Sequence, residues 1–330
     1  MISRRSFLKY STLATVTPFV AVCGQSHRWR ADAFRKERTS QVAVLEALRY
    51  DLPLREIITK GVQLCGLEVR GKTIVLKPNL VEFDPDGVIN TNPLVIEAAI
   101  DCFRTLGARQ VLVAEGPGHR RDNEYLLTAS GVYGVIKEHR VPYVDLNSDD
   151  VRPRRLLSSF TNLEHLYLPE TLYKADLLVS MPKLKTHHWA GVTLSLKNMF
   201  GVVPGSVYGW PKNILHWQGI HNSILDINSS LPVRQFAIVD GIVGMEGNGP
   251  LQGQAKDGGV LIFGKDLVAV DATAARLMKI EPRKIKYLAK AGEFLGNVHY
   301  ESIEQIGENV EQLQKDFRVI EEFRDLKVLI

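Results

Sequence analysis

A chain of 330 residues, 45% of them hydrophobic, can bury the core of one large domain or two smaller ones. Lysine and arginine number 41 against 37 acidic residues, and three of the basic ones, Arg4, Arg5 and Lys9, fall in the first 23 positions, which hold no acid. The remainder is close to neutral, which excludes a global electrostatic signal for nucleic acid or an anionic membrane, so any cationic feature must be local.

Ser3-Arg4-Arg5-Ser6-Phe7-Leu8-Lys9 matches the twin-arginine export pattern. The apolar run from Tyr10 to Val22 is shorter than the roughly 20 residues a membrane span needs. Residues 1–23 are therefore expected to be a signal segment read by the twin-arginine export machinery, leaving a periplasmic or otherwise extracytoplasmic product with no transmembrane span. Val20-Ala21-Val22-Cys23 also resembles a weak lipoprotein box, so cleavage by a signal peptidase and lipid anchoring at Cys23 both stay open. Export by this route implies folding before translocation and permits a cofactor without naming one. Beyond Cys23 only Cys65 and Cys102 remain, too few for a four-cysteine iron–sulfur or zinc site. A disulfide between them stays open.

Residues 24–40 (GQSHRWRADAFRKERTS) are polar and basic and read as a tether to a single α/β domain over 41–330. Thr39 and Ser40 can cap a first helix over about Val42 to Leu48, and Pro53 suits the start of a second that ends near Cys65, with Gly66 as its stop. Thr73–Leu76 predicts a strand that opens into Lys77-Pro78-Asn79. Thr91-Asn92-Pro93 starts a helix that Gly107 stops. Gln110–Ala114 is a second strand, leading to Glu115; helices follow over Glu124–Thr128 and Val132–His139, then a strand over Val141–Asp145. Residues 147–163 are arginine-rich and suit a surface loop or hairpin, with His165–Leu168 as a strand. Ala175–Ser180 is a buried strand. Gln235–Val239 and Val260–Phe263 are two more, followed by a helix over Leu267–Met278 capped by Asp266, and a further helix over Pro282–Ala291. A short strand and helix end the chain.

Strands alternating with helices argue for a mostly parallel sheet with helices on both faces, and in such sheets ligands sit beyond the carboxyl ends of the strands. The strand exits carry Lys77 and Asn79, Glu115, then Lys183, Lys185 and His187, and finally Asp240. The central exit is the densest. Ser180–Gly201 (SMPKLKTHHWAGVTLSLKNMFG) places three lysines and two histidines, His187 and His188, at the mouth of a buried strand, and Lys197 and Asn198 close it. Such a set is costly to bury unless something anionic meets it. Asp240–Pro250 (DGIVGMEGNGP) suggests a glycine-rich loop carrying Glu246, whose backbone can approach a ligand closely. It is neither a P-loop nor a dinucleotide turn. Asp271, in an apolar helix, is either a packing aspartate or the counter-charge of a lysine. Residues 204–221, rich in glycine, proline and aromatics, suit a lid, and its His216 and His221 lack the spacing of a metal motif, so no metal ligands are assigned. His119, near Glu115, is a further anion-binding candidate. No nucleophile motif is present.

Lys77-Pro78-Asn79, Thr91-Asn92-Pro93, Ser180–His187, Leu196–Gly201, Asp240–Gly247 and Ala269–Ala272, in this order, resemble the DUF362 family over roughly residues 70–290. That resemblance implies a family with no assigned reaction. Many members carry a ferredoxin-like cysteine-rich segment that this chain lacks. The stretch from His187 is faintly similar to nickel-cofactor lactate racemase relatives, over too short a span to transfer residues. The expected function is an exported protein whose Lys/His/acid site takes an anionic small molecule or cofactor, the cofactor being unknown. Lys183, His187, Glu115 and Asp240 are the catalytic candidates. Lys77, Asn79, Lys185, Lys197, Asn198, Glu246 and Asp271 are the cofactor-binding ones. An enzyme of unassigned reaction is the first expectation; a non-catalytic periplasmic binding protein or an accessory protein of a redox complex is the alternative.

Overall fold

The computed structural model describes residues 33–118 and 122–328; the twin-arginine segment, Cys23, residues 24–32 and His119 lie outside the described residues. In chain order the elements are β1 (Ser40–Glu46), α1 (Leu54–Leu64), β2 (Thr73–Pro78), α2 (Pro93–Thr105), β3 (Gln110–Glu115), α3 (Asn123–Ala129), α4 (Val132–Glu138) and β4 (Tyr143–Asp145). Then come β5 (Val151–Arg155), β6 (His165–Pro169), α5 (Glu170–Lys174), β7 (Leu177–Met181), β8 (Lys183–His187), β9 (Gly191–Thr193), α6 (Ser195–Asn198), α7 (Gly205–Tyr208), α8 (Asn213–Trp217) and α9 (Ile220–Ser230). The chain closes with β10 (Arg234–Asn248), β11 (Gln252–Gly264), α10 (Leu267–Leu277), α11 (Lys286–Phe294), β12 (Ile303–Gly307) and α12 (Val310–Leu313).

The main sheet runs β12-β1-β11-β10-β7-β2-β3-β4 among the described residues. Its centre is parallel: β10, β7, β2, β3 and β4 all point one way, and β11 alone separates them, antiparallel, from β1. Alternate residues of each strand feed two cores. Val42, Val75, Leu178 and Val239 face α9, α10 and α11, while Ala43, Ile74, Val179 and Ile238 face α1, α2 and α4. The chain is thus an α/β protein with a mostly parallel sheet covered by helices on both faces, as the alternating elements predict.

Four local readings change. The segment expected to be a first helix is the strand β1. Its run VAVL sends successive side chains to opposite cores, and a strand apolar on both faces has no polar face to mark its period. Phe34, in the expected tether, packs edge-on against Phe294 at 5.0 Å, so that part of the chain lies against the body. The expected glycine-rich loop is the second half of β10, a strand of 15 residues. Its glycine serves another strand: a methyl at Gly244 would collide with the carbonyl oxygen of Leu184. The basic stretch after Pro182, expected at a strand exit, is itself the strand β8. β7 and β8 run in succession along β10, interrupted at Pro182, whose carbonyl still accepts from Asp240 N at 2.9 Å.

Lys183 and Asp240 lock β8 to β10. Lys183 Nζ donates to Asp240 Oδ2 at 2.6 Å, to the Tyr50 hydroxyl at 2.9 Å and to the Val243 carbonyl at 3.1 Å. Asp240 also accepts from Tyr50 and from Asn92 N, the cap of α2. Both ionic side chains are fully enclosed, at 1% and 0% exposure. Removing one member of such a pair strands a buried charge, whereas replacing both with apolar groups need cost little. Asp240→Ala is therefore expected to lower stability in urea unfolding by about 3–5 kcal/mol, and the pair Lys183→Met with Asp240→Leu to recover most of that loss. A single-variant loss below about 1 kcal/mol, the scale of a surface ion pair, contradicts the latch.

Candidate functional site

β2 and β3 end side by side, and their ends carry the site's central ion pair. Lys77 Nζ donates to Glu115 Oε1 at 2.7 Å and Oε2 at 2.8 Å, and to Asn198 Oδ1 at 3.2 Å. Glu115 also accepts from the backbone N–H groups of Leu80 (3.1 Å) and Gly116 (2.9 Å). Burial lowers the Lys77 amine from its usual range, and the Glu115 charge opposes that. The pair needs a glycine above it, since a methyl at Gly201 would collide with both the Glu115 carboxylate and the Lys77 amine.

Beyond these strand ends lies a cavity of about 260 Å³. Lys197 enters it from α6. The start of that short helix is held by Asp271, which accepts from Ser195 N at 2.7 Å and Leu196 N at 2.9 Å. Burial pushes the Asp271 carboxyl up to about 7. Lys197 Nζ stands 5.7 Å from the centre of the Phe200 ring, and no carboxylate pairs with it among the described residues. Burial, then the neighbouring Lys77 charge, lowers it to about 8. Lys212, between α7 and α8, closes another wall by donating to the carbonyls of Gly116 (2.6 Å), Phe200 (3.2 Å) and Gly201 (3.2 Å); burial brings it to about 7.

The histidines complete an aromatic wall. His187 Nδ1 accepts from the backbone N–H groups of Trp189 (3.0 Å) and Ala190 (3.2 Å), so the ring's proton belongs on Nε2. Burial, reinforced by Lys197, holds the ring well below its ordinary value, hence neutral. It stacks on His188 at 5.0 Å; Trp189 meets His188 at 4.8 Å and His216 at 5.5 Å; His216 tilts against Phe200 at 5.0 Å.

Among the expected site residues, Lys77, Asn79, Glu115, His187, Lys197 and Asn198 line this cavity. Lys183 and Asp240 do not; they form the latch between β8 and β10, a correction to the single shared pocket expected of them. Lys185 points behind the wall, giving its protons to Ile89 O (2.7 Å) and Pro250 O (3.4 Å), with burial holding it well below the lysine range. Glu246 is engaged by Arg318, Nε to Oε1 at 2.7 Å, and Asp271 positions α6 without touching a lysine. Position along the strand separates the β8 residues: Lys183, Lys185 and His187 are two apart and share a face, and only His187, at the strand's end, reaches the cavity. His221 stacks on Tyr287 at 6.0 Å, away from the cavity. Cys65 and Cys102 are both free and buried. Sequence reasoning passed over Lys212, whose signal was a lone lysine amid the aromatic residues of the expected lid, and the rim role of Trp189. No group of three or more metal-ligating side chains converges among the described residues.

A family model described as Domain of unknown function (DUF362) matches residues 74–276, a stretch that contains Lys77, Lys183, Lys185, Lys197 and Lys212. The thylakoid-associated protein sll1697 of Synechocystis sp. is 27% identical over 237 residues, which is 68% of each chain. Among solved structures, the lactate racemase apoprotein from Thermoanaerobacterium thermosaccharolyticum aligns with a TM-score of 0.44 and 12% identity, over 76% of this chain and 59% of its own. A Thermotoga maritima protein aligns with a TM-score of 0.37 and 14% identity, over 76% and 60%. The chain spans about three fifths of the length of these two solved structures.

Lys212 carries a pH signature. Its amine is protonated up to about 7 in the folded protein, against 10.5 ordinarily. Between those values the unfolded chain holds the extra proton, so stability rises with pH through this window; the contribution is full above 10.5 and lost as pH falls through 7. Lys212→Met is expected to flatten the rise by up to about 1.4 kcal/mol per pH unit, read from urea midpoints across the window. An unchanged slope means that Lys212 is not held in the neutral form.

Proposed function

This chain belongs to the DUF362 family, and from that premise we propose that its cavity receives a small organic anion with a flat apolar portion. One observation carries the reading. Lys77, Lys197 and Lys212 line the cavity with a single carboxylate, Glu115, which Lys77 already engages in both its oxygens. Lys197, which is half-buried, has no counter-ion among the described residues, and an anionic occupant would supply one. The wall of His187, His188, Trp189 and Phe200 suits a planar group, which gains by stacking on aromatic faces.

The same chemistry separates capture from catalysis. Glu115 is saturated with donors and His187 is locked neutral by two backbone N–H groups. Neither is poised to take a proton. A reaction in this cavity would draw its base from Lys197 or Lys212, whose amines lie near neutrality. The binding reading needs only the charges already in place. The twin-arginine pattern at Ser3–Lys9 supports an exported protein, and Cys23 offers a point for a lipid anchor. The thylakoid association in the name of the Synechocystis relative supports, as a proposal for this chain, work beside a membrane.

Calorimetric titration of the full chain with benzoate tests the pocket. Binding is expected at pH 6.5, weaker by about tenfold or more at pH 9 as the lysine amines lose their protons, and accompanied by proton uptake near pH 8, seen as a dependence of the heat on buffer. Lys197→Gln should weaken it by about tenfold or more, the scale of a lost charged hydrogen bond. Equal binding of neutral benzyl alcohol removes the case for an anion site. Export is tested separately: Arg4→Lys with Arg5→Lys should keep the protein in the cytoplasm of a host with twin-arginine machinery. An unchanged extracytoplasmic fraction refutes that route.

A further inference from the structure

Lys197 stands apart from the other lysines near the strand exits. Lys77 gives its protons to Glu115 and to Pro78 O at 3.0 Å, Lys183 to Asp240, Lys185 and Lys212 to backbone carbonyls. Those four are at most 1% exposed, whereas Lys197 is half-buried and lines the cavity. Its amine makes no hydrogen bond or ion pair among the described residues. It is therefore the one amine of the five that is both unoccupied and within reach of a molecule in the cavity.

Its surroundings favour the neutral, nucleophilic form. A lysine becomes a nucleophile when it is desolvated or placed beside another cation, and both hold here. The titratable groups that share the cavity are Lys77, Lys212, Glu115, His187, His188 and His216. The one carboxylate among them, Glu115, is engaged by Lys77 in both oxygens and does not hold a proton on Lys197. Burial and the Lys77 charge bring the Lys197 amine to about 8, so roughly a tenth of it is neutral at pH 7, against less than about a thousandth for an ordinary lysine. The backbone beneath it is fixed, because Asp271 holds the start of α6. A cavity of about 260 Å³ beside an aromatic wall has room for one small ring with a short acidic arm.

We propose that Lys197 captures its occupant covalently, as an imine, and that the occupant is a flat 2-oxo acid. The Lys197 nitrogen forms a bond to the carbonyl carbon, the C=O π pair passes to oxygen, which takes up a proton, and the nitrogen loses one. The carbon–oxygen bond then breaks, the oxygen leaves as water with a second proton from solvent, and the nitrogen lone pair closes the C=N bond. Nothing is oxidised or reduced. The nitrogen ends as a cationic iminium, so the carboxylate on the neighbouring carbon still meets a positive charge. The proposal rests on the anion-receiving reading above, and it goes further by naming the carbonyl the anion must carry and the atom that bonds to it.

The test treats the full chain at pH 7 with benzoylformate and sodium cyanoborohydride, which reduces an iminium to a stable amine, and reads the product by intact mass and peptide mapping. One adduct per chain is expected, on Lys197, and excess benzoate should suppress it. Lys197→Arg keeps the positive charge and removes the nucleophile. It should cut the adduct by about tenfold or more while benzoate affinity, measured by calorimetry, stays within about threefold. If that variant does not fold, the wild-type peptide map and the protection by benzoate decide the matter. Benzoate binding with no adduct, or with adducts spread over other lysines, overturns this proposal and leaves the anion reading standing. An adduct on Lys197 that benzoate does not suppress overturns the shared site, and so does a Lys197→Arg chain labelled as fully as the wild type. If benzoate does not bind and no adduct forms, the anion reading fails and this proposal falls with it.

Discussion

The Lys77–Glu115 ion pair is the constraint on which the site depends. It joins the ends of two neighbouring parallel strands, takes Asn198 from α6 as a third member, and lies under Gly201. With side chains at 1% and 2% exposure, neither charge has water to fall back on. Every geometric feature above the strand ends follows from keeping this pair satisfied. The Leu80 and Gly116 amides turn toward the carboxylate, α6 is drawn in by Asn198, and Gly201 brings its backbone close enough for Lys212 to reach the same group of carbonyls. The cavity is the space left above that arrangement.

The buried lysines divide into those that hold the fold and those that face the cavity. Lys183 has a dedicated aspartate and a tyrosine, and it serves to pin β8 beside β10. Lys185 has only carbonyl partners, and burial together with its lysine neighbours favours the neutral amine. Lys197, half-buried, has an aromatic face and no counter-ion among the described residues. Pairing does not follow position, since Lys77 lines the cavity and is fully paired with Glu115.

Much of the architecture was legible before any coordinates. The helix starts at Pro93 and Leu267 carry their own caps, Asn92 and Asp266, and the structure shows both accepting from the first helical amides. The strands β2, β3 and β7 announce themselves as short apolar runs between polar exits. The errors lie where one local pattern has two meanings. VAVL reads as helix or strand because a strand buried on both faces loses its alternation, and only the neighbouring β11 and β12 decide it. The glycines of DGIVGMEGNGP read as loop because glycine marks both turns and close strand approach, and the second meaning requires knowing that β8 lies alongside.

For the site, composition and order alone placed Lys77 and Glu115 at the ends of two strands, and the structure has both there. That much follows from local periodicity and the rule that such sheets place polar groups beyond their carboxyl ends. Which lysine met which acid was decided by tertiary structure. Glu115 lies 38 positions from Lys77, and Asp240 lies 57 from Lys183. Pairing at that range depends on strand order, register and the face each residue presents, and none of these is a local property of the chain. The sequence could count the charges; only the packed sheet could say which of them were already spoken for.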